Sequence, residues 1–195
     1  MSEPTDKLPC IDVVPGSFNP LHDGHWWIFK NIPRDQKCFE ISRSRVGKED
    51  LSDDEIAWRT SQFKGANVVI TQAPLFSDKY EHFRKLADVV IFHIGIDTYE
   101  RLIQMSGRAA IEEMQLATFI VYDRCGATLP ADKPRNCWPS VRKAPEQVQN
   151  ISSTLIRLGT IDTSGASTGM CSESATNHHL EMSHHLKMLR LKAKE

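Results

Sequence analysis

The stretch Pro15-Gly16-Ser17-Phe18-Asn19-Pro20-Leu21-His22-Asp23-Gly24-His25 follows directly on the short apolar run Ile11-Asp12-Val13-Val14. The run reads as a strand that delivers the backbone to Gly16, where a missing Cβ lets main-chain N–H groups approach a phosphate closely. The chain then turns into a helix beginning near Asp23 or Gly24, and His22 and His25, three residues apart, fall on one face as it does so. Imidazoles at a helix N-terminus can donate hydrogen bonds to a phosphate whose charge grows as a bond to phosphorus breaks. A lone histidine on an apolar face is more often a core group than a catalyst. The pair, with its glycine-led turn and preceding strand, carries the context such a motif demands. Gly16, Ser17, Phe18 and Gly24 lie in the same element and are candidate nucleotide contacts.

A second element lies far downstream, at Ile151-Ser152-Ser153-Thr154-Leu155-Ile156-Arg157. Ser152, Ser153 and Thr154 stand at a predicted helix start, where hydroxyls cap free N–H groups and the helix end attracts polyphosphate. Arg157 follows Ser153 by four residues and Thr154 by three, so its guanidinium can lean back toward the same anion. Alone, this is also the pattern of an ordinary capped helix with a surface arginine. A third group, Gly95-Ile96-Asp97-Thr98, allows a close turn at Gly95 and offers Asp97 either as an acceptor for a ribose or amine, or as a helix cap.

Between these elements, strands alternate with helices, as a parallel α/β sheet requires. The strands are expected at 11–14, 38–42, 67–71, 89–94 and 118–122, and the helices at 24–31, 53–63, 78–86, 98–105 and 151–158. The strands are apolar and β-branched without strict alternation, which implies burial on both faces. Ser52 with Glu55 reads as a capping box for the second helix. In such sheets a ligand sits at the carboxyl ends of the strands, where the strand order reverses.

With 195 residues and a net charge of −1, the chain fits one domain with a sizeable core plus a tail, and shows no coat for nucleic acid. No apolar segment has membrane-spanning length, and the start of the chain lacks the basic and apolar regions of a secretory signal. The five cysteines, Cys10, Cys38, Cys125, Cys137 and Cys171, are odd in number and lack C-x-x-C spacing. A reduced, cytoplasmic protein without a zinc or other protein-held metal site is the expectation. The domain is expected over 8–159. Residues 160–177, rich in Ser, Thr and Gly, read as a flexible linker. Residues 178–195 read as a basic amphipathic helix with Met182, Leu186 and Leu189 on one stripe. That helix could dock on its own domain, pack in a homo-oligomer or touch an anionic surface.

Together the three elements resemble those of the nucleotidyltransferase superfamily, which includes nicotinamide mononucleotide adenylyltransferases, phosphopantetheine adenylyltransferases and phospholipid-precursor cytidylyltransferases. The form Gly16-Ser17-Phe18-Asn19-Pro20-x-His22-x-Gly24-His25 looks closest to the nicotinamide mononucleotide branch, and the resemblance covers roughly 11–159. It implies a Rossmann-like parallel sheet of five or six strands with helices on both faces. It also implies an enzyme that transfers AMP from ATP, with Mg2+, to a phosphorylated small-molecule acceptor such as nicotinamide mononucleotide, giving NAD and pyrophosphate. In that reading His22 and His25 stabilise the α-phosphate and leaving pyrophosphate, Ser152, Ser153, Thr154 and Arg157 hold the β- and γ-phosphates, and Gly95 and Asp97 lie near the nucleotides. Lys48, Arg59 and Arg124 are further phosphate or acceptor contacts by resemblance, although each reads by itself as a solvated surface charge. Trp58, Tyr99 and Trp138 are the aromatic residues that could stack a ring. The alternatives are a cytidylyltransferase, another adenylyltransferase of the superfamily, or a nucleotide-binding regulatory protein without turnover.

Overall fold

A computed structural model describes residues 7–123, 129–149, 151–159 and 161–164. The strands are β1 (Leu8–Pro15), β2 (Lys37–Ser42), β3 (Val68–Thr71), β4 (Ala87–Gly95), β5 (Ala117–Tyr122) and β6 (Cys137–Pro139). The helices are α1 (Asp23–Lys30), α2 (Asp53–Thr60), α3 (Phe76–Phe83), α4 (Ile96–Glu113), α5 (Glu146–Gln149) and α6 (Ser153–Arg157). The strands form one sheet in the order β3-β2-β1-β4-β5-β6, with every pair parallel. The chain builds outward from β1 to β3, then returns to lay β4 on the other side of β1. The strand order therefore reverses between β1 and β4, the position at which ligands enter such sheets.

Alternating side chains of each strand feed two apolar layers. Ile11, Val13, Val90 and Phe92 face Tyr80, Phe83, Tyr99 and Leu102 of α3 and α4. Val14, Phe39, Ile41 and Tyr122 face Ile28, Phe29 and Ile56 of α1 and α2. Burial on both faces was expected from the runs of β-branched residues, and the Ser52 capping box opens α2 as the spacing predicts, with Glu55 N–H donating to Ser52 Oγ at 3.2 Å.

Some element bounds depart from expectation. The third and fourth helices start two residues early, at Phe76 and Ile96, and α4 runs on to Glu113 through a break at Gly107, whose φ is 69°. Helix formers resume after that break, and Ile111 anchors them in the core. The sixth strand, Cys137–Pro139, is three residues long and ends in proline, which a sheet tolerates only at its edge. The single turn of α5 that follows in the chain carries Val148 against Ala144, Ile151 and Trp27.

The domain's packing also continues past Gly159. Ile161 packs against the Ala144, Val148 and Ile151 cluster, and the Asp23 N–H at the start of α1 donates to the Thr163 carbonyl at 3.0 Å. Residues 161–164, read from composition as the start of a linker, lie against the domain. The rest of 160–177, the expected helix over 178–195, and Arg124 lie outside the described residues.

Candidate active site

At the carboxyl end of β1 the backbone passes through Gly16, then through Phe18, whose φ is 44°, and a cis Asn19–Pro20 bond. Gly16 lacks a side chain because of its own neighbour: a Cβ there would stand 2.7 Å from Cζ of Phe18. The Gly16 N–H is used within the sheet, donating to the Glu40 carbonyl at 3.0 Å. The Phe18 ring is fully buried against Phe39, Phe63 and His25, so this residue can meet a ligand only through its backbone.

His22 is the N-cap of α1, and its ring, 5% exposed, stacks on that of His25 with centroids 3.7 Å apart. The His22 N–H donates to Nδ1 of His25 at 3.3 Å. A ring nitrogen that accepts from an amide carries no proton, so neutral His25 holds its proton on Nε2. Three amides at the helix start have backbone partners: Asp23 N–H donates to Thr163 O, and the His25 and Trp26 N–H groups donate to His22 O. Gly24 lets the two motifs meet, since a Cβ there would stand 3.0 Å from the His22 ring and 3.0 Å from Cγ2 of Ile151.

The downstream element closes on the same loop. Ser152 caps α6, its Oγ accepting from Leu155 N–H at 3.2 Å. Ser153 Oγ donates to the Pro20 carbonyl at 2.9 Å. The Arg157 guanidinium donates to the Asn19 carbonyl and to Thr154 Oγ1. Residues more than 130 positions apart thus share one turn of backbone. Gly95 ends β4 and caps α4, and among the described residues nothing stands within 4 Å of where its Cβ would be. Asp97 lies exposed in the first turn of α4, where a carboxylate suits the helix dipole.

The basic residues divide. Arg59 is not a solvated surface charge: it is 2% exposed, and its Nη1 donates to the Ser17 carbonyl at 2.7 Å. Burial, followed by the like charges of Arg45 and Arg157, pushes its guanidinium below the usual arginine value against the attraction of Glu55. Its buried Nε has no hydrogen-bond partner among the described residues. Arg45 and Arg157 thus both add positive charge around Arg59, a concentration suited to a polyanion. Lys48 is exposed in the turn after β2, bridged to Arg45 through the backbone, and is not brought to the loop by any hydrogen bond among the described residues.

Among the aromatics, Tyr99 is buried in the core and cannot stack a ligand, whereas Trp58 and Trp138 are half exposed. Sequence reasoning missed Gln62, which touches the loop from α2's C-terminal side, and Arg45. Gln62 has no motif around it, and Arg45 is one of several charges in a polar turn. No cluster of three or more His, Cys, Asp or Glu among the described residues could hold a metal ion. No helix among them is long and apolar enough to cross a membrane.

The chain thus belongs to the class of Rossmann-like α/β proteins with a six-stranded parallel sheet, and its histidine pair and hydroxyl-arginine helix converge at the switch point. Among solved structures, Plasmodium falciparum nicotinic acid mononucleotide adenylyltransferase complexed with APC is similar, with a TM-score of 0.56 over 78% of this chain and 84% of that one. Identity is 14%, so the likeness is one of fold. No family model matches the chain, and no curated protein is similar to it in sequence.

Proposed function

We propose that this chain is a nucleotidyltransferase that moves AMP from ATP to a phosphorylated acceptor, with nicotinamide mononucleotide as that acceptor and NAD and pyrophosphate as products. The observation that carries the reading is the joining of the two elements: Ser153 and Arg157 of α6 bind the carbonyls of Pro20 and Asn19, one turn ahead of His22 and His25. A triphosphate lying along that junction would meet imidazoles at one end and hydroxyls with a guanidinium at the other.

The chemistry needs no covalent intermediate. An oxygen of the acceptor's phosphate attacks the α-phosphorus of ATP in line, the bond from that phosphorus to the bridging oxygen breaks, and pyrophosphate leaves with the electron pair. In this reading the His25 and His22 rings donate to oxygens whose charge grows in that step. Ser152, Ser153, Thr154 and Arg157 hold the departing β- and γ-phosphates, and Gly95 leaves room beside Asp97 for a nucleoside. Magnesium would enter as part of the substrate, bound to the phosphates of ATP, which suits a site whose described residues form no metal-holding carboxylate cluster.

The test is to incubate the protein with magnesium, each nucleoside triphosphate and a panel of phosphorylated acceptors, and to follow pyrophosphate. ATP with nicotinamide mononucleotide should turn over, and His25→Ala should lower the rate by about two orders of magnitude, the usual effect of removing one preorganised donor to a transition-state oxyanion. Turnover with CTP alone, or an unchanged rate in H25A, would overturn the assignment.

A further inference from the structure

Four successive carbonyls of the loop after β1 each accept a hydrogen bond from a side chain of another element. Ser17 O accepts from Arg59 Nη1 at 2.7 Å, and Phe18 O accepts from Gln62 Nε2 at 3.2 Å. Asn19 O accepts from Arg157, and Pro20 O from Ser153 Oγ at 2.9 Å. The first two donors stand three residues apart near the end of α2, and the last two stand on α6. Arg157 and Ser153 were legible as motif residues; Gln62 was not.

Gln62 does more than one donor could. Its Oε1 accepts from the Leu21 N–H at 2.8 Å while its Nε2 donates to Phe18 O, so one carboxamide spans the loop from residue 18 to the residue before His22. Among uncharged side chains of this length, only glutamine donates and accepts through one planar group. The orientation it imposes bears on an anion. A carbonyl oxygen carries partial negative charge and repels phosphate. In a planar trans peptide the N–H of the next residue lies opposite that oxygen. Holding the Ser17 and Phe18 carbonyls against α2 therefore aims the Phe18 and Asn19 amides the other way, and neither amide has a hydrogen bond among the described residues.

We propose that Gln62 is a positioning residue: with Arg59 it holds the loop carbonyls of Ser17 and Phe18 turned from the triphosphate path and holds Leu21 so that His22 enters α1 at a fixed angle. The inference rests on the nucleotidyltransferase reading for its functional part and on geometry alone for the clamp.

Two measurements separate the parts. In the free protein, hydrogen exchange of the Leu21 amide reports the clamp, because that N–H is held by Gln62. In Gln62→Met, which keeps length and loses both hydrogen bonds, Leu21 should exchange roughly tenfold faster, in line with the loss of one such bond. An unaltered Leu21 rate in a folded Q62M protein removes the clamp. In turnover with MgATP, Q62M should lower kcat roughly tenfold and change KM for ATP by less than about threefold, since the ground-state contacts remain and only their alignment is lost. A merely structural glutamine would lower the melting temperature and leave kcat of the folded protein unchanged, and that result overturns the positioning role. If the wild-type protein releases no pyrophosphate with any triphosphate, the nucleotidyltransferase reading and the positioning role that rests on it both fail, while the exchange measurement still decides the clamp.

Discussion

At the residue scale, two glycines of the site lack a side chain for opposite reasons. At Gly16 the space is filled by the Phe18 ring, which Phe39, Phe63 and His25 prevent from swinging aside. At Gly95 no described residue would meet a Cβ within 4 Å. Gly16→Ala should therefore cost about 1–3 kcal/mol, the range for overpacking a well-filled core. Gly95→Ala, at a backbone conformation ordinary for any residue, should change stability by no more than about 0.5 kcal/mol. Urea titration of both variants reads the difference, and equal midpoints would show that the ring does not hold Gly16 small. Cys38 illustrates burial acting on chemistry rather than shape: it pushes the thiol up to about 12, so this cysteine is a core residue and not a nucleophile near neutral pH.

At the element scale, the site is a meeting of three short helices on one loop. α1 is eight residues long and α6 five, too short to be stable alone, so their geometry comes from what they pack on. α1 leans on the sheet through Ile28 and Phe29, and its first amide is satisfied by Thr163 from beyond the expected end of the domain. A chain ending at Gly159 loses that carbonyl and the half-buried Ile161, and should be less stable by roughly 1–2 kcal/mol than a chain ending at Ser164, on the scale of one partly buried aliphatic side chain. Thermal unfolding of the two truncations compares them. Equal melting temperatures would mean that the contacts of 161–164 contribute nothing to the domain.

At the scale of the whole molecule, the sheet interior holds charge. Asp12 is fully buried in β1, takes both oxygens to Arg34 at 3.0 Å and one to His93 at 2.6 Å, and His93 in turn meets the Tyr122 hydroxyl at 3.0 Å. On the other face, Glu40 is fully buried, accepting from Lys79 at 3.0 Å and Thr71 at 2.6 Å. Its second oxygen has no partner among the described residues. Burial outweighs the attraction of Lys79 and holds the Glu40 carboxyl above its ordinary value of 4.5. A folded pKa above the unfolded one means that this group's contribution is fully present below pH 4.5 and is lost as the pH rises through the folded value. Lys79→Met removes the strongest opposing attraction, so it should cost about 3–5 kcal/mol at neutral pH and less at acid pH, where Glu40 is protonated. The double variant K79M/E40Q should recover part of the loss at neutral pH. Denaturant midpoints at pH 4.5 and 7 decide it; a loss independent of pH would show that Lys79 acts through packing alone.

What the sequence determined by itself was local. Five strands, the parallel α/β class, the capping box at Ser52 and both phosphate-type motifs are written in runs of adjacent residues, because periodicity and capping are set within a few positions. The tertiary structure alone decided which buried polar group meets which partner. Hydropathy marks a residue as inside without saying what it faces. Arg59 reads as surface charge until α2 lays it on Ser17, Gln62 reads as nothing until its carboxamide spans Phe18 and Leu21, and no local pattern pairs Asp12 with His93, 81 positions away. A three-residue edge strand ending in proline lies below what a period of two can reveal, and Thr163 lies in a stretch whose composition suggests a linker. Those pairings join segments far apart in the chain, and only the closing of the sheet around β1 brings their donors and acceptors within hydrogen-bond reach.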